Sequence, residues 1–509
     1  MQPVDYIIIC LYLAGVLTVG AVFRKKQGRP DDFFLAGRSM HWFPIGLSIM
    51  VTAFSAINYT AFSGEVFSHG LYVALSLPVF ILVAFPVIRV VMPLYHRLGV
   101  CSAYEYLEKR FDVRVRALAS GLFILWRVFW MATALYVPAK VLALLTGLNV
   151  NGLILLSGAV VTAYTAAGGL KAVMWTDVFQ FFVLAGGLLA GIAMAAAQVP
   201  DGVAGIFRTG AAGGLLKPFY PFDPGVLSWD PRIRITLWSS WIGTFVAFMS
   251  RYSVDQVVVQ RYFSARTLRN AQVGFHLNYM AAIFSLLLLA VMGFAMYAHA
   301  VHSGILGTRG DQPIAYFVHF IRSLPPGATG LIVAGLMAAT MSSLDSGINS
   351  CCAAFVTDFY NRFSRNGAPA DIRLNRRLTM VFGTIATLAA LSVGRLGSIF
   401  EIANKIINGL GSPLLAIFIL GVFSKTANSR GMLAGGLMGA AWSAYVSFFV
   451  KDIALHYYAV VNLIGTLAVC YGASLLENQL QGGPSPRQLS WTWRALRQTE
   501  IVANREDKI

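Results

Sequence analysis

The chain has 509 residues, of which 57% are hydrophobic and only 12% charged, and its mean hydropathy is +0.66. That much apolar surface excludes a water-soluble fold, and the net charge of +17 is spread over short loops between apolar runs rather than gathered in one basic block, which excludes nucleic acid as the partner. The runs are about 20 residues long, the length of a helix that crosses a bilayer, and the alternation over about ten residues that marks a membrane barrel is absent.

In chain order the apolar spans fall near 4–23, 42–62, 71–95, 117–145, 149–167, 172–198, 234–257, 270–299, 326–358, 376–396, 398–424, 429–450 and 455–478. These predict an all-α polytopic membrane protein with about thirteen transmembrane helices. The first span follows Asp5 rather than a basic segment and has no small-residue cleavage pattern after it, so a retained helix is expected. Basic residues gather in alternate loops: Arg24, Lys25, Lys26, Arg29 and Arg38; Lys109, Arg110, Arg114 and Arg116; Arg261, Arg266 and Arg269; Arg362, Arg365, Arg373, Arg376 and Arg377. Ser63 to Gly70 and Thr146 to Asn151 carry none. The positive-inside rule then sets the N-terminus outside a cell inner membrane and the tail at 480–509, with Arg487, Arg494, Arg497 and Arg505, in the cytoplasm.

The long segment Gln198 to Arg234 is rich in Gly and Pro, which predicts short surface elements. The five cysteines lie in or beside apolar segments without metal-ligand spacing, and the eight histidines contain no HExxH pairing. No enzyme is expected, and no obligate protein partner is evident.

Two stretches are polar where a lipid-facing helix stays apolar: VTAFSAINYT from Val51 and ATMSSLDSGINS from Ala339. Both read as interrupted helices. Hydroxyls and amides at membrane depth are costly unless they pair or line a wet cavity, and together with freed backbone carbonyls they offer the oxygens that a small hard cation prefers. Singly, each Ser or Thr is equally at home where two helices pack closely.

TAYTAAGGLKAVMWTDVFQ from Thr162, SVDQVVVQRYFSARTLRNA from Ser253 and ATMSSLDSGINS from Ala339 resemble signature regions of the sodium:solute symporter family, over nearly the whole chain. AYEYLEKRF from Ala103 and ALYVPAKVLALLTGLN from Ala134 are most similar to the branch with the iodide, monocarboxylate and multivitamin transporters. The resemblance implies the leucine-transporter fold: an extra N-terminal helix at 4–23, inverted five-helix repeats at 42–198 and 234–424, and two further helices at 429–478. It implies sodium-coupled symport of a small organic solute by alternating access, with Na+ as the coupling ion. The implied principal sodium ligands are the backbone carbonyls of Val51, Phe54 and Ala339, aligned through Ser55, and the hydroxyls of Ser342 and Ser343. A second sodium is implied at Asp177, Ser342, Asp345 and Ser346; the carboxylate at Asp345 departs from the hydroxyl that many relatives carry, and Asp177 is alternatively a structural cap.

Substrate contacts in this fold come from the broken helix and the third, sixth and tenth core helices, which points to Ser55, Asn58, Tyr59, Thr60, Arg127, Arg251 and Lys405. Charges at membrane depth are functional or paired. Glu401 is a local partner for Lys405, Arg251 is placed to snorkel, and Arg127 is set either to bind a carboxylate or to pair with another helix. Trp126, Phe129 and Trp130 flank Arg127 and wall the cavity or pack. The three cations favour an anionic solute in the bilayer-embedded cavity. The alternatives are a proton-coupled carrier, with Asp345 or Asp177 holding the proton, an uncoupled carrier, and a membrane sensor on the same fold.

Overall fold

A computed structural model describes the chain except for residues 25–29, 221, 305–312, 365–370, 396–398, 451–452, 455, 482, 497 and 499–509. Among the described residues the regular elements are all helices. They are α1 (Pro3–Arg24), α2 (Trp42–Ala53) and α3 (Asn58–His69), which form one bent crossing, then α4 (Leu71–Leu98), α5 (Glu105–Arg110), α6 (Val113–Thr146) and α7 (Val150–Ala196). After α8 (Gly202–Ala212) come α9 (Thr244–Val254), α10 (Gln256–Ser264), α11 (Leu268–His302), α12 (Pro313–Ser323), α13 (Ala328–Phe355), α14 (Ile372–Val393), α15 (Ile399–Phe423), α16 (Ser429–Phe449) and α17 (Tyr457–Gln481).

Every expected span has a helical counterpart, with three differences of detail. The expected spans 149–167 and 172–198 are two limbs of α7, separated only by Gly169 at φ 58°, a left-handed conformation that glycine adopts without strain. The polar stretch from Ala339 is not interrupted: α13 runs unbroken from Ala328 to Phe355, its hydroxyls bonding its own preceding turn, as Thr340 does to Leu336, or reaching other helices, as Ser343 does, without displacing the ladder. The second break lies elsewhere, at Asp255 between α9 and α10, where the backbone is extended and the Asp255 carboxylate caps the next helix by accepting from Val257 N at 3.0 Å. As expected, the segment after Gln198 holds short elements, α8 and a 3-10 turn at Pro224–Leu227.

The core sits where α7, α13 and the α2–α3 crossing meet. At Gly187 of α7 a Cβ would lie 2.6 Å from the carbonyl oxygen of Leu331 in α13, so only glycine permits this approach. The N-terminal helix joins the same core. Asp5 is buried and its Oδ1 accepts from Gly327 N at 3.0 Å and Gly330 N at 2.9 Å, which caps the start of α13 with a side chain from another helix.

Several arginines expected in loops are instead structural. Arg110 is buried and donates to the carbonyls of Gly421 in the last turn of α15 and of Ser424 and Ala427 just beyond it, while Arg116 binds Glu108 and Asp358. Burial pushes the Glu108 carboxyl up, but hydrogen bonds from Arg362 and Arg116 outweigh it and hold the group below the ordinary range.

Candidate cation and solute site

The bend of 67° between α2 and α3 is the centre of the site. Phe54 is extended at φ −103°, ψ 105°, which ends the α2 ladder with its own N–H turned back to the Val51 carbonyl at 3.1 Å. Ser55 and Asn58 restart the helix: Asn58 Oδ1 accepts from Ser55 N at 3.1 Å, and Ser55 Oγ accepts from Ile57 N at 3.2 Å. This is a reciprocal cap in the middle of a membrane-spanning element.

Helix α13 lies across the break. Ser342 Oγ is 3.2 Å from the Val51 carbonyl oxygen and 3.1 Å from that of Ala339, and Ser343 Oγ is 3.4 Å from the Thr52 carbonyl oxygen. Oxygens around a cation of calcium-like radius, bound at about 2.4 Å, stand roughly 3.4 Å apart at the edges of their polyhedron. The spacing here is close to that and joins three of the five expected ligands, Val51, Ala339 and Ser342, whereas Ser343 meets the carbonyl of Thr52, a residue not among those expected. The Phe54 carbonyl makes no protein hydrogen bond among the described residues.

The four residues expected around a second cation do not converge on one point. Asp177 Oδ2 accepts from Ser48 Oγ at 2.6 Å and lies 3.5 Å from Thr52 Oγ1, while Asp345 Oδ2 accepts from the Tyr164 hydroxyl at 2.9 Å. Between Asp177 and Ser346 stands the guanidinium of Arg261, which donates from Nη2 to Ser346 Oγ at 2.5 Å and from Nε to Ser48 Oγ at 2.9 Å. Arg261 is fully buried. Its assignment to a positively charged loop is therefore corrected: it sits on the inward face of α10, a helix whose existence depends on the break at Asp255. Three buried oxygens near this cluster accept from no donor among the described residues, namely Asp177 Oδ1, Asp345 Oδ1 and Gln180 Oε1.

The expected solute residues divide. Arg251 of α9 reaches the break, donating to the Ala53 carbonyl oxygen at 3.0 Å, with its guanidinium 5.2 Å over the ring of Trp130. No carboxylate pairs with it among the described residues. Arg127 takes the other alternative: it forms an interhelical ion pair with Asp255, with Nε 3.0 Å from Oδ1. Tyr59 turns from the break, its hydroxyl lodged toward Gly187 and Gly335, so the expectation that it faces the cavity is corrected. Thr60 bonds back to the Ala56 carbonyl at 3.1 Å and is likewise a packing residue. Of the flanking aromatics, Trp126 packs on Gly411 and Phe129 is exposed to the lipid side, which leaves Trp130 at the break with a buried indole N–H that has no acceptor. The side chains of Lys405 and Glu401 lie outside the described residues.

The chain was compared with known proteins. A family model described as the sodium:solute symporter family matches residues 33–439. A sodium-coupled monocarboxylate transporter 2 of Bos taurus is 29% identical over 505 residues, 97% of this chain and 80% of that protein. A sodium-dependent multivitamin transporter of Oryctolagus cuniculus is 32% identical over 86% of this chain and 70% of its own. The sodium/sialic acid symporter NanT of Aliivibrio fischeri is 28% identical, with 94% of each chain covered. Among solved structures, a sodium-coupled sialic acid symporter in a substrate-bound, outward-open state superposes with a TM-score of 0.84 at 26% identity, over 93% of this chain and 98% of that one.

Proposed function

The chain belongs to the sodium:solute symporter family, as a multi-pass, sodium-coupled carrier of a small solute and not an enzyme, and from that premise we propose that its solute is an organic anion taken up across an inner membrane. The carrying observation is the donor-rich face of the break. The Arg251 guanidinium, the Trp130 indole N–H and the amide nitrogen of Asn58 gather near one unwound turn, and none of them meets a carboxylate among the described residues. A carboxylate supplies what these donors lack. The relatives named for monocarboxylates and sialic acid are consistent with a carboxylate solute.

Sodium is proposed to sit at the carbonyls of Val51, Phe54 and Ala339 and the hydroxyls of Ser342 and Ser343. Because Arg251 and the sodium oxygens share the turn at Ala53, the anion and the cation order the same segment, and each favours the other's binding. The two breaks, at Phe54 and Asp255, support the division into repeats at 42–198 and 234–424. The N-terminal side is proposed to face outward and the tail to be cytoplasmic.

A second cation at Asp177 and Asp345 is proposed only with a rearrangement that draws their donorless oxygens together. It would be bound from α7 and α13, with Arg261 neutralising part of the acidic charge.

The test is uptake into proteoliposomes of a panel of monocarboxylates and sialic acid, driven by an inward sodium gradient or by an equal potassium gradient. Sodium-driven accumulation of at least one anion is expected. Accumulation of neutral solutes alone would refute the anionic reading.

A further inference from the structure

The outer halves of the two broken helices, α3 and α9, are each separated from their inner halves by a break of one or two extended residues. Each is short, and without a tether each would tilt about its own break. One ion pair joins them on the N-terminal side. Arg234 grips Glu65 of α3 through two bonds, Nε to Oε1 at 3.1 Å and Nη2 to Oε2 at 2.7 Å.

The geometry is that of a fixed strut rather than a casual surface pair. Glu65 is only 7% exposed, although Arg234 itself is 55% exposed. A buried carboxylate cannot give up its partner cheaply, so α3 cannot move without Arg234 following. Arg234 is in turn held in register with α9. Two residues on, Thr236 and Ser239 bond reciprocally, with Thr236 N to Ser239 Oγ at 2.9 Å and Ser239 N to Thr236 Oγ1 at 3.1 Å, at the head of the π-helical turn Ser239–Gly243 that runs directly into α9. His69, one turn beyond Glu65, places Nδ1 3.3 Å from Oε1 and steadies the carboxylate from its own helix.

The residues before α17 pack on either side of the segment that carries Arg234. Ala454 N donates to the Pro231 carbonyl at 2.7 Å, and the backbone of His456 lies so close to Gly243 that a Cβ there would meet its oxygen at 2.1 Å. Burial pushes the His456 imidazole down to about 4, with Arg234 adding to the effect and Glu65 opposing it.

We propose that Glu65 and Arg234 are a positioning pair that makes the outer halves of both broken helices move as one external gate. This rests on the alternating-access reading above. The pair touches neither ion nor solute; it acts by keeping the two half-helices in step, so that the cavity opens to one side along its whole length.

The experiment compares wild type with Arg234→Ala, Arg234→Lys and the double variant Glu65→Cys/Arg234→Cys in proteoliposomes, with sodium binding followed by tryptophan fluorescence. Loss of sodium-driven uptake in wild type would overturn the transport reading itself, and is distinguishable because no variant is involved. Given active wild type, Arg234→Ala is expected to lower maximal uptake about tenfold, with the half-saturating sodium for the fluorescence change unmoved, and Arg234→Lys to recover most of it. The unlinked double variant, which also lacks the pair, is expected to lose about tenfold, and joining its two cysteines with a flexible bifunctional thiol reagent to restore uptake to within about twofold of wild type. Wild-type turnover in Arg234→Ala, abolition of uptake by the crosslink, or a linked protein no more active than the unlinked one would overturn the proposal. Should Arg234→Ala fail to fold, the crosslinked variant alone still decides.

Discussion

Ser342 Oγ stands 3.2 Å from the carbonyl oxygen of Val51, across 291 residues of chain. A hydroxyl of one unbroken helix closes over the frayed end of another, and neither element makes the oxygen cage alone. Replacing Ser342 and Ser343 together by alanine removes two neutral ligands while leaving the carbonyls in place. The expected result is a rise of about tenfold or more in the sodium needed for half-maximal uptake, which is 1.4 kcal/mol or more, with maximal uptake restored at high sodium. Uptake curves against sodium in choline-balanced buffer check it; an unchanged midpoint would remove these serines from the site.

Asp345 offers one oxygen to Tyr164 and leaves the other without a donor. If that oxygen serves a second sodium, wild type shows a Hill coefficient above one for sodium, and Asp345→Ala brings it toward one. Tyr164→Phe, which removes only the hydroxyl, is expected to keep the wild-type coefficient. A coefficient of one in wild type makes Asp345 a structural carboxyl.

Arg251 bears the anionic reading. Arg251→Lys keeps a charge but loses the planar fork and its stacking on Trp130, so a carboxylate is expected to bind about tenfold or more weakly while the sodium midpoint changes little. Arg251→Gln is expected to lose concentrative uptake of anions. Competition by unlabelled carboxylates in the two variants measures this, and retention of wild-type anion affinity in Arg251→Gln excludes the residue from the solute site.

The Arg127–Asp255 pair is expected to act on folding. Both residues are buried, and removing one partner leaves an uncompensated charge, at a cost of about 3–5 kcal/mol. Arg127→Gln should therefore give less monodisperse protein and a lower melting temperature. Combining it with Asp255→Asn, which keeps a capping oxygen for Val257, should recover part of the loss. A well-folded Arg127→Gln protein with altered solute preference would return Arg127 to the substrate cavity.

The architecture was legible because lipid imposes it: apolar length marks the crossings, and polar clusters at membrane depth mark the site. The break at Phe54 and the serines of α13 were visible for that reason. The polar run from Ala339 was misread as a break because hydroxyls that free a helix's backbone look the same, in one dimension, as hydroxyls that serve a neighbour. Asp255 and Arg261 were misplaced for a related reason. SVDQ carries an N-cap signal, but within an apolar span it reads as the end of a helix, and this moved Arg261 into a loop. The Arg127–Asp255 and Glu65–Arg234 pairs join residues more than a hundred positions apart, and no local spacing announces such partners.

The cap that Asp5 places on α13 sets an order of assembly. The hydrogen bond from Gly327 N spans 322 residues of sequence, so once α1 is made its Asp5 waits for this partner through roughly 15–65 s of synthesis at about 5–20 residues per second. During that interval α1 already has α7 to pack against, but the amides at the start of α13 do not yet exist and Asp5 lacks them. Asp5 therefore finds its hydrogen-bond partners late although its helix precedes α13 by most of the chain, and the cap on α13 closes only once the intervening crossings have been made.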